Sequence, residues 1–267
     1  MTKSAPAALI EERSCFIDTF PSFGFTKEKI IAVCDQPRTN PSDLNRLIHL
    51  DPILFCKMQF IYNSFYPRQK DEYIPIAKII TMLHLNTVRN YARDSALSAA
   101  RKPAALSPKL AADGQRKEEM RITAAFVRAY TARLIAGECG IETEKLQQYY
   151  AAGLVFNFES YMNVGRKKLS ADEAAKYWDF SFMIYDVLKY KNSYKKYNGA
   201  YKHILYTAAA ASAFAQSAVK QRDANPAPKQ DKKTLDFLGI DEKLFAKIKP
   251  AVQNEAKAQI AFLKGAA

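Results

Sequence analysis

The sequence predicts an all-α protein built as a two-lobed helical bundle. Three observations carry that expectation. Apolar residues recur three and four positions apart through most of the chain, short Asn-Pro and Asp-Pro pairs punctuate those runs, and almost nothing alternates with period two. A chain of 267 residues is long enough for one large domain or two small ones, each with a buried core.

The elements follow in order. Thr26 is placed to cap a helix containing Ile30, Ile31, Val33 and Cys34, ending near Pro37. Asn40-Pro41 opens the next helix, with Asn40 as cap, Pro41 at the first helical position, and Leu44, Leu47 and Ile48 behind them. Asp51-Pro52 repeats the device. Asp51 accepts from unpaired amides at the helix start, and Leu54, Phe55, Met58, Ile61, Tyr62 and Phe65 form the apolar stripe. Asn63 and Ser64 fall in the last turn, where short polar side chains bond to nearby backbone. Ile76, Ile79, Ile80 and Leu83 make a further helix, and Asn86 is expected to cap the one after it.

Residues 1–100 thus form an amino-terminal helical lobe. Residues 101–119, with Pro103, Pro108 and Gly114, suggest a linker or partly helical strap. Residues 120–219 form the second lobe. A long helix runs there from about Lys117 to Cys139 and stops at Gly140, a C-cap glycine. In the next helix Gly153 is expected to allow close helix packing. Ser170 and Glu173 make a capping box ahead of a helix carrying Trp178, Phe182, Tyr185 and Leu188, and an Ala-rich helix covers 200–219. The Pro-rich, charged segment 220–233 predicts a mobile loop, and 234–267 a final helical segment that starts at Asp241 and bends at Pro250.

Composition narrows function. No apolar run approaches the ~18 residues needed to span a bilayer, and the first residues lack the apolar core of a secretory signal, so a cytoplasmic protein with no membrane partner is expected. Cys15, Cys34, Cys56 and Cys139 are scattered without a CxxC, which points to reduced, buried thiols. The only histidines are His49, His84 and His203, too few and too scattered for an obvious metal centre. No Walker A, GxGxxG, HExxH or GxSxG motif is present. The net charge of +13 and a pI near 9.4 admit an anionic partner, though dispersed lysines also serve solubility.

Three further motifs occur in combination. The first is the proline-containing stretch Phe20-Pro21-Ser22-Phe23. It is followed by the acidic run Ile48-His49-Leu50-Asp51-Pro52-Ile53-Leu54 and then by Asn63-Ser64-Phe65-Tyr66. Together with Ala77 to Arg89, this text resembles the HDOD domain, a bacterial relative of the HD-type metal phosphohydrolases. The match is strong over about 20–93 and weaker to 219. His84 stands where the family usually has glycine.

The resemblance implies that the second lobe once held metal ligands. In active HD enzymes a His-Asp pair and further histidines hold metals that activate water. Here the corresponding text is "GLVFNFES", with Phe156 and Asn157 in place of His and Asp, and Lys191 and Asn192 fall near a later His pair. The first histidine would fall near Thr123 or Ala124. A lysine ammonium repels a metal cation, so neither catalytic residues, metal nor cofactor is expected. The resemblance implies a signalling or scaffold module that works by binding a partner, most simply another signalling protein.

An alternative comes from composition. In 185–206, Tyr185, Tyr190, Tyr194, Tyr197, Tyr201 and Tyr206 interleave with Lys189, Lys191, Lys195, Lys196 and Lys202, and Arg166, Lys167 and Lys168 lie upstream. Lysines attract phosphates and tyrosines stack on bases, which suits a nucleic acid or nucleotide. The same tyrosines would also suit a helix–helix contact with lysine stems around it. A residual phosphohydrolase is the third reading.

Overall fold

The computed structural model describes residues 23–67, 72–100, 108–162, 178–220 and 231–265. The protein is all-α, with no strand among the described residues. In chain order the α-helices are α1 (Gly24–Cys34), α2 (Pro41–Leu50), α3 (Pro52–Phe65), α4 (Ile76–Leu83), α5 (Leu85–Ala100), α6 (Pro108–Glu138), α7 (Leu146–Val155), α8 (Glu159–Met162), α9 (Phe182–Tyr190), α10 (Lys202–Lys220), α11 (Lys232–Leu238) and α12 (Glu242–Leu263). The 3-10 turns Thr143–Lys145 and Tyr194–Lys196 precede α7 and α10. The chain divides into two compact units, Met1–Gln115 with Phe158–Phe182, and Arg116–Asn157 with Met183–Ala267.

In the first unit α1 packs on α5, and α2, α3 and α4 pack on one another. The expected caps at Asn40 and Asp51 form. Asn40 Oδ1 accepts from the Ser42 amide at 2.9 Å, and Asp51 Oδ1 accepts from Ile53 and Leu54 at 2.9 and 3.0 Å. Thr26, in contrast, is no cap. Phe23 occupies that position, and Thr26 sits inside the first turn with its hydroxyl 2.7 Å from Asp51 Oδ2. The Phe23 amide donates to the same oxygen at 3.0 Å. One fully buried carboxylate therefore starts α3 and fastens the entry to α1.

The expected stripe on α3 becomes a helix buried all round from Pro52 to Asn63, because neighbours cover every face. Phe65 is the exception at 63% exposure, since the helix ends there. Ser64 Oγ donates to the Phe60 carbonyl at 2.8 Å, the local bond expected of it. Asn63 instead reaches 116 residues along the chain and donates to the Asp179 carbonyl at 2.7 Å. Asp179 has φ 50°, so the helix expected to run from Trp178 through Leu188 is broken, and α9 begins only at Phe182. Trp178 stacks on Phe180, and Phe158 meets Trp178 edge-on.

Asn86 is likewise no cap. The α4–α5 junction is a single residue, His84, with φ 63° and ψ 141°, whose carbonyl accepts the first bond of α5.

Helix α6, most of which belongs to the second unit, starts nine residues earlier than Lys117. Pro108 opens the helix rather than breaking it, as a proline at the first helical position can. The far end behaves as expected: Gly140 takes φ 75°, and the Ile141 amide returns to the Ala136 carbonyl. Gly153 lies where α7 crosses α6. A Cβ there would sit 2.8 Å from both the Ala129 Cα and the Arg128 carbonyl. Buried Arg128 locks the crossing by donating Nε to the Gly153 carbonyl at 2.6 Å. Helix α10 packs on α7 and α11. Asp241 caps α12, which continues through Pro250. Lys247 and Lys264 pair with Glu138 and Glu119 of α6 at 2.8 Å.

Candidate functional site

Phe156 and Lys191, two positions assigned by resemblance to lost ligands, are each 7% exposed in the second unit. Phe156 follows directly on α7, and Lys191 follows directly on α9. Asn157 is half-buried and Asn192 exposed. A benzyl group has no lone pair to offer a metal, and a buried ammonium opposes a cation electrostatically. Among the described residues no group of three or more His, Cys, Asp or Glu could hold a metal ion.

The histidines have local roles. His49 Nδ1 lies 2.8 Å from the Asn45 carbonyl, one turn back on α2. His84 is the exposed junction residue. His203 is half-buried, and its Nδ1 meets the Tyr149 hydroxyl at 3.1 Å. Burial holds its imidazole below the usual range. Among the described cysteines, Cys34, Cys56 and Cys139 are free thiols. Burial pushes Cys34 up to about 11, so it is a poor nucleophile. Cys15 lies outside the described residues.

Asp51, Pro52, Asn63 and Ser64 belong to the first unit and are structural there, as the bonds above show. Burial raises the Asp51 carboxyl above the usual range despite its four donors.

The Tyr/Lys segment is not one helix. It comprises α9, the turn Tyr194–Lys196 and the start of α10. Its tyrosines are largely engaged. The Tyr190 and Tyr197 rings lie 4.8 Å apart, and the Tyr197 hydroxyl donates to Asp186 at 2.5 Å. Burial and that carboxylate push the Tyr197 phenol up to about 12. Tyr194 meets Tyr206 edge-on at 5.1 Å, and Tyr206 lies 4.0 Å from Phe237 of α11. The lysines surround these rings. Lys189 Nζ is 5.3 Å from the Tyr185 ring and 5.2 Å from the Tyr190 ring, while Lys202 Nζ is 5.3 Å from the Phe237 ring. Lys196 is exposed. Arg166, Lys167 and Lys168 lie outside the described residues, as do the Ser170–Glu173 capping box and 221–230 of the expected loop.

Sequence reading missed the start of α11. Lys195 Nζ lies 2.8 Å from Asp231 Oδ1. The second Asp231 oxygen accepts from the Thr234 amide and hydroxyl at 3.0 and 2.7 Å. The Thr234 hydroxyl thereby has its proton committed and accepts from Tyr194 at 2.9 Å. Lys232 and Lys233 follow Asp231, both exposed. The signal was legible: an Asp just ahead of an apolar helical run is an N-cap signature.

Two surface hollows also belong to this unit. One, of about 600 Å³, lies at the start of α12 beside Glu138, Asp241 and Lys247. The other, of about 460 Å³, lies along α6 and α12 beside Thr123, Ile260 and Lys264.

No family profile matches the chain, and no curated protein does. Among solved structures, the chain is similar to the crystal structure of the MmoQ response regulator from Methylococcus capsulatus str. Bath. The identity is 13%, the likeness covers 86% of this chain and 97% of that one, and the TM-score is 0.58. At that identity the likeness is one of fold, and it covers both helical units.

Proposed function

We propose that this chain is a bacterial regulatory protein of HDOD type that acts by binding another signalling protein and catalyses no reaction. The observation that carries the reading is the pair of buried side chains at former ligand positions, Phe156 and Lys191, each incompatible with a bound cation. Two further observations support it. A solved structure of similar fold is that of a response regulator. Where HDOD sequences usually carry glycine, His84 adopts φ 63°, a backbone conformation that glycine takes without strain.

The test is recovery of a partner on immobilised protein, followed by reconstitution from purified components. A one-to-one complex that persists between about 50 and 200 mM salt is expected of a protein–protein contact. Metal-dependent turnover of phosphoesters by the purified chain would overturn the reading.

A further inference from the structure

We infer that the surface made by α9, the turn Tyr194–Lys196 and α11 binds the phosphate backbone of single-stranded nucleic acid. This is a second activity, independent of the regulatory reading above. The Lys195–Asp231 bridge and the Tyr194–Thr234 bond fasten the turn to the start of α11. They bring together lysines that are distant in sequence: Lys195 and Lys196 on one side, Lys232 and Lys233 on the other. Lys202 extends this group through the Phe237 ring. The paired rings of Tyr197, next to the turn in sequence, and Tyr190 lead on to Lys189.

The facing acids are Asp186, Asp231 and Asp236. Asp231 is engaged by Lys195, and Asp186 accepts from Tyr197. Six lysines against three aspartates leave the surface positive. Lys196, Lys232 and Lys233 are exposed, where ammonium groups exchange condensed counterions for phosphates.

The aromatic inventory decides the kind of nucleic acid. The tyrosines here have ring or hydroxyl partners within the protein, so they do not form a row of free stacking faces. Phe237 also has partners, with Tyr206 at 4.0 Å and the Lys202 ammonium 5.3 Å over its ring. Unlike buried Tyr197 and Tyr206, however, it is 40% exposed, and a base takes its face by displacing Lys202 toward a phosphate. One ring stacks one base, which a single strand presents and a duplex does not. The surface therefore reads charge and one unstacked base, with no sequence preference.

The experiment is fluorescence polarisation of labelled single- and double-stranded oligonucleotides against the full chain across a salt series. Anionic phosphatidylserine vesicles run in parallel. Five lysines besides Lys195 predict a log–log salt slope of roughly −3.5 for a single strand. The variant K196E/K232E/K233E leaves the Lys195–Asp231 bridge in place. It should flatten the slope by about 2 and weaken binding at least tenfold. F237S should remove the preference for single strands and leave the slope unchanged. If the triple variant does not fold by circular dichroism, K232Q/K233Q replaces it, with a slope change of about 1.4. The inference is overturned if the wild-type chain does not bind at low salt, or if the folded variant binds as well as wild type. It is also overturned if vesicles bind through these lysines and oligonucleotides do not.

Discussion

Asp51 and Asp231 do the same local job in the two units, and their surroundings make them opposites. Each caps a helix and each also ties that helix to a distant segment. Asp51 is fully buried and takes four neutral donors, from Phe23, Thr26, Ile53 and Leu54. Asp231 is partly exposed and pairs with a lysine beside solvent. The first arrangement cannot lose its acceptor without stranding buried donors. The second competes with water at every bond. The first unit thus spends its carboxylate on architecture, and the second uses one to arrange a charged surface.

The comparison is broken most directly by truncation. D51A leaves buried donors without an acceptor and should cost about 3 kcal/mol or more in denaturant unfolding. G153A should follow, at about 1–3 kcal/mol. Its new methyl would meet the α6 backbone at 2.8 Å, and the backbone cannot swing aside as a side chain can. D231A removes an exposed cap and a surface ion pair and should cost about 1 kcal/mol. H84G should change stability in the opposite direction, by about +1 kcal/mol. The exposed imidazole loses little, and glycine takes φ 63° without a Cβ penalty.

The smallest effect is the most discriminating, because its sign differs between the two residues. Burial raises the Asp51 carboxyl, so its contribution is complete below the unfolded value, about 3.9, and is lost as pH rises through the folded one. Lys195 lowers the Asp231 carboxyl, so its contribution is present above the unfolded value and is lost as pH falls through the folded one. Stability profiles of D51N and D231N, each subtracted from wild type, should slope in opposite directions through the acidic range.

The same contrast explains what the sequence could convey. Asn40 and Asp51 were legible as caps, and Asp241 as a helix start, because their amide partners lie two or three residues away. Gly140 and Gly153 were legible because few residue types tolerate a left-handed backbone or backbone-to-backbone contact. Thr26 misled because its hydroxyl serves a carboxylate 25 residues on, and Asn63 because its partner is 116 residues away. Pro108 misled because a proline that starts a helix has the same letter as one that ends it. The Tyr/Lys segment was visible as composition. Its division into packed rings and exposed lysines depends on α11, whose Phe237 and Asp231 lie beyond the segment itself.

The central proposal is that the chain acts by binding and holds no catalytic metal, with buried Phe156 and Lys191 at the positions that the HDOD resemblance assigns to metal ligands. Titration of the purified chain with Mn²⁺ and Zn²⁺ in a calorimeter, alongside a phosphoester assay with and without chelator, tests it most directly. The account predicts no saturable metal binding in the wild-type chain and no chelator-sensitive turnover. A stoichiometric metal, with turnover that chelation abolishes, would contradict it.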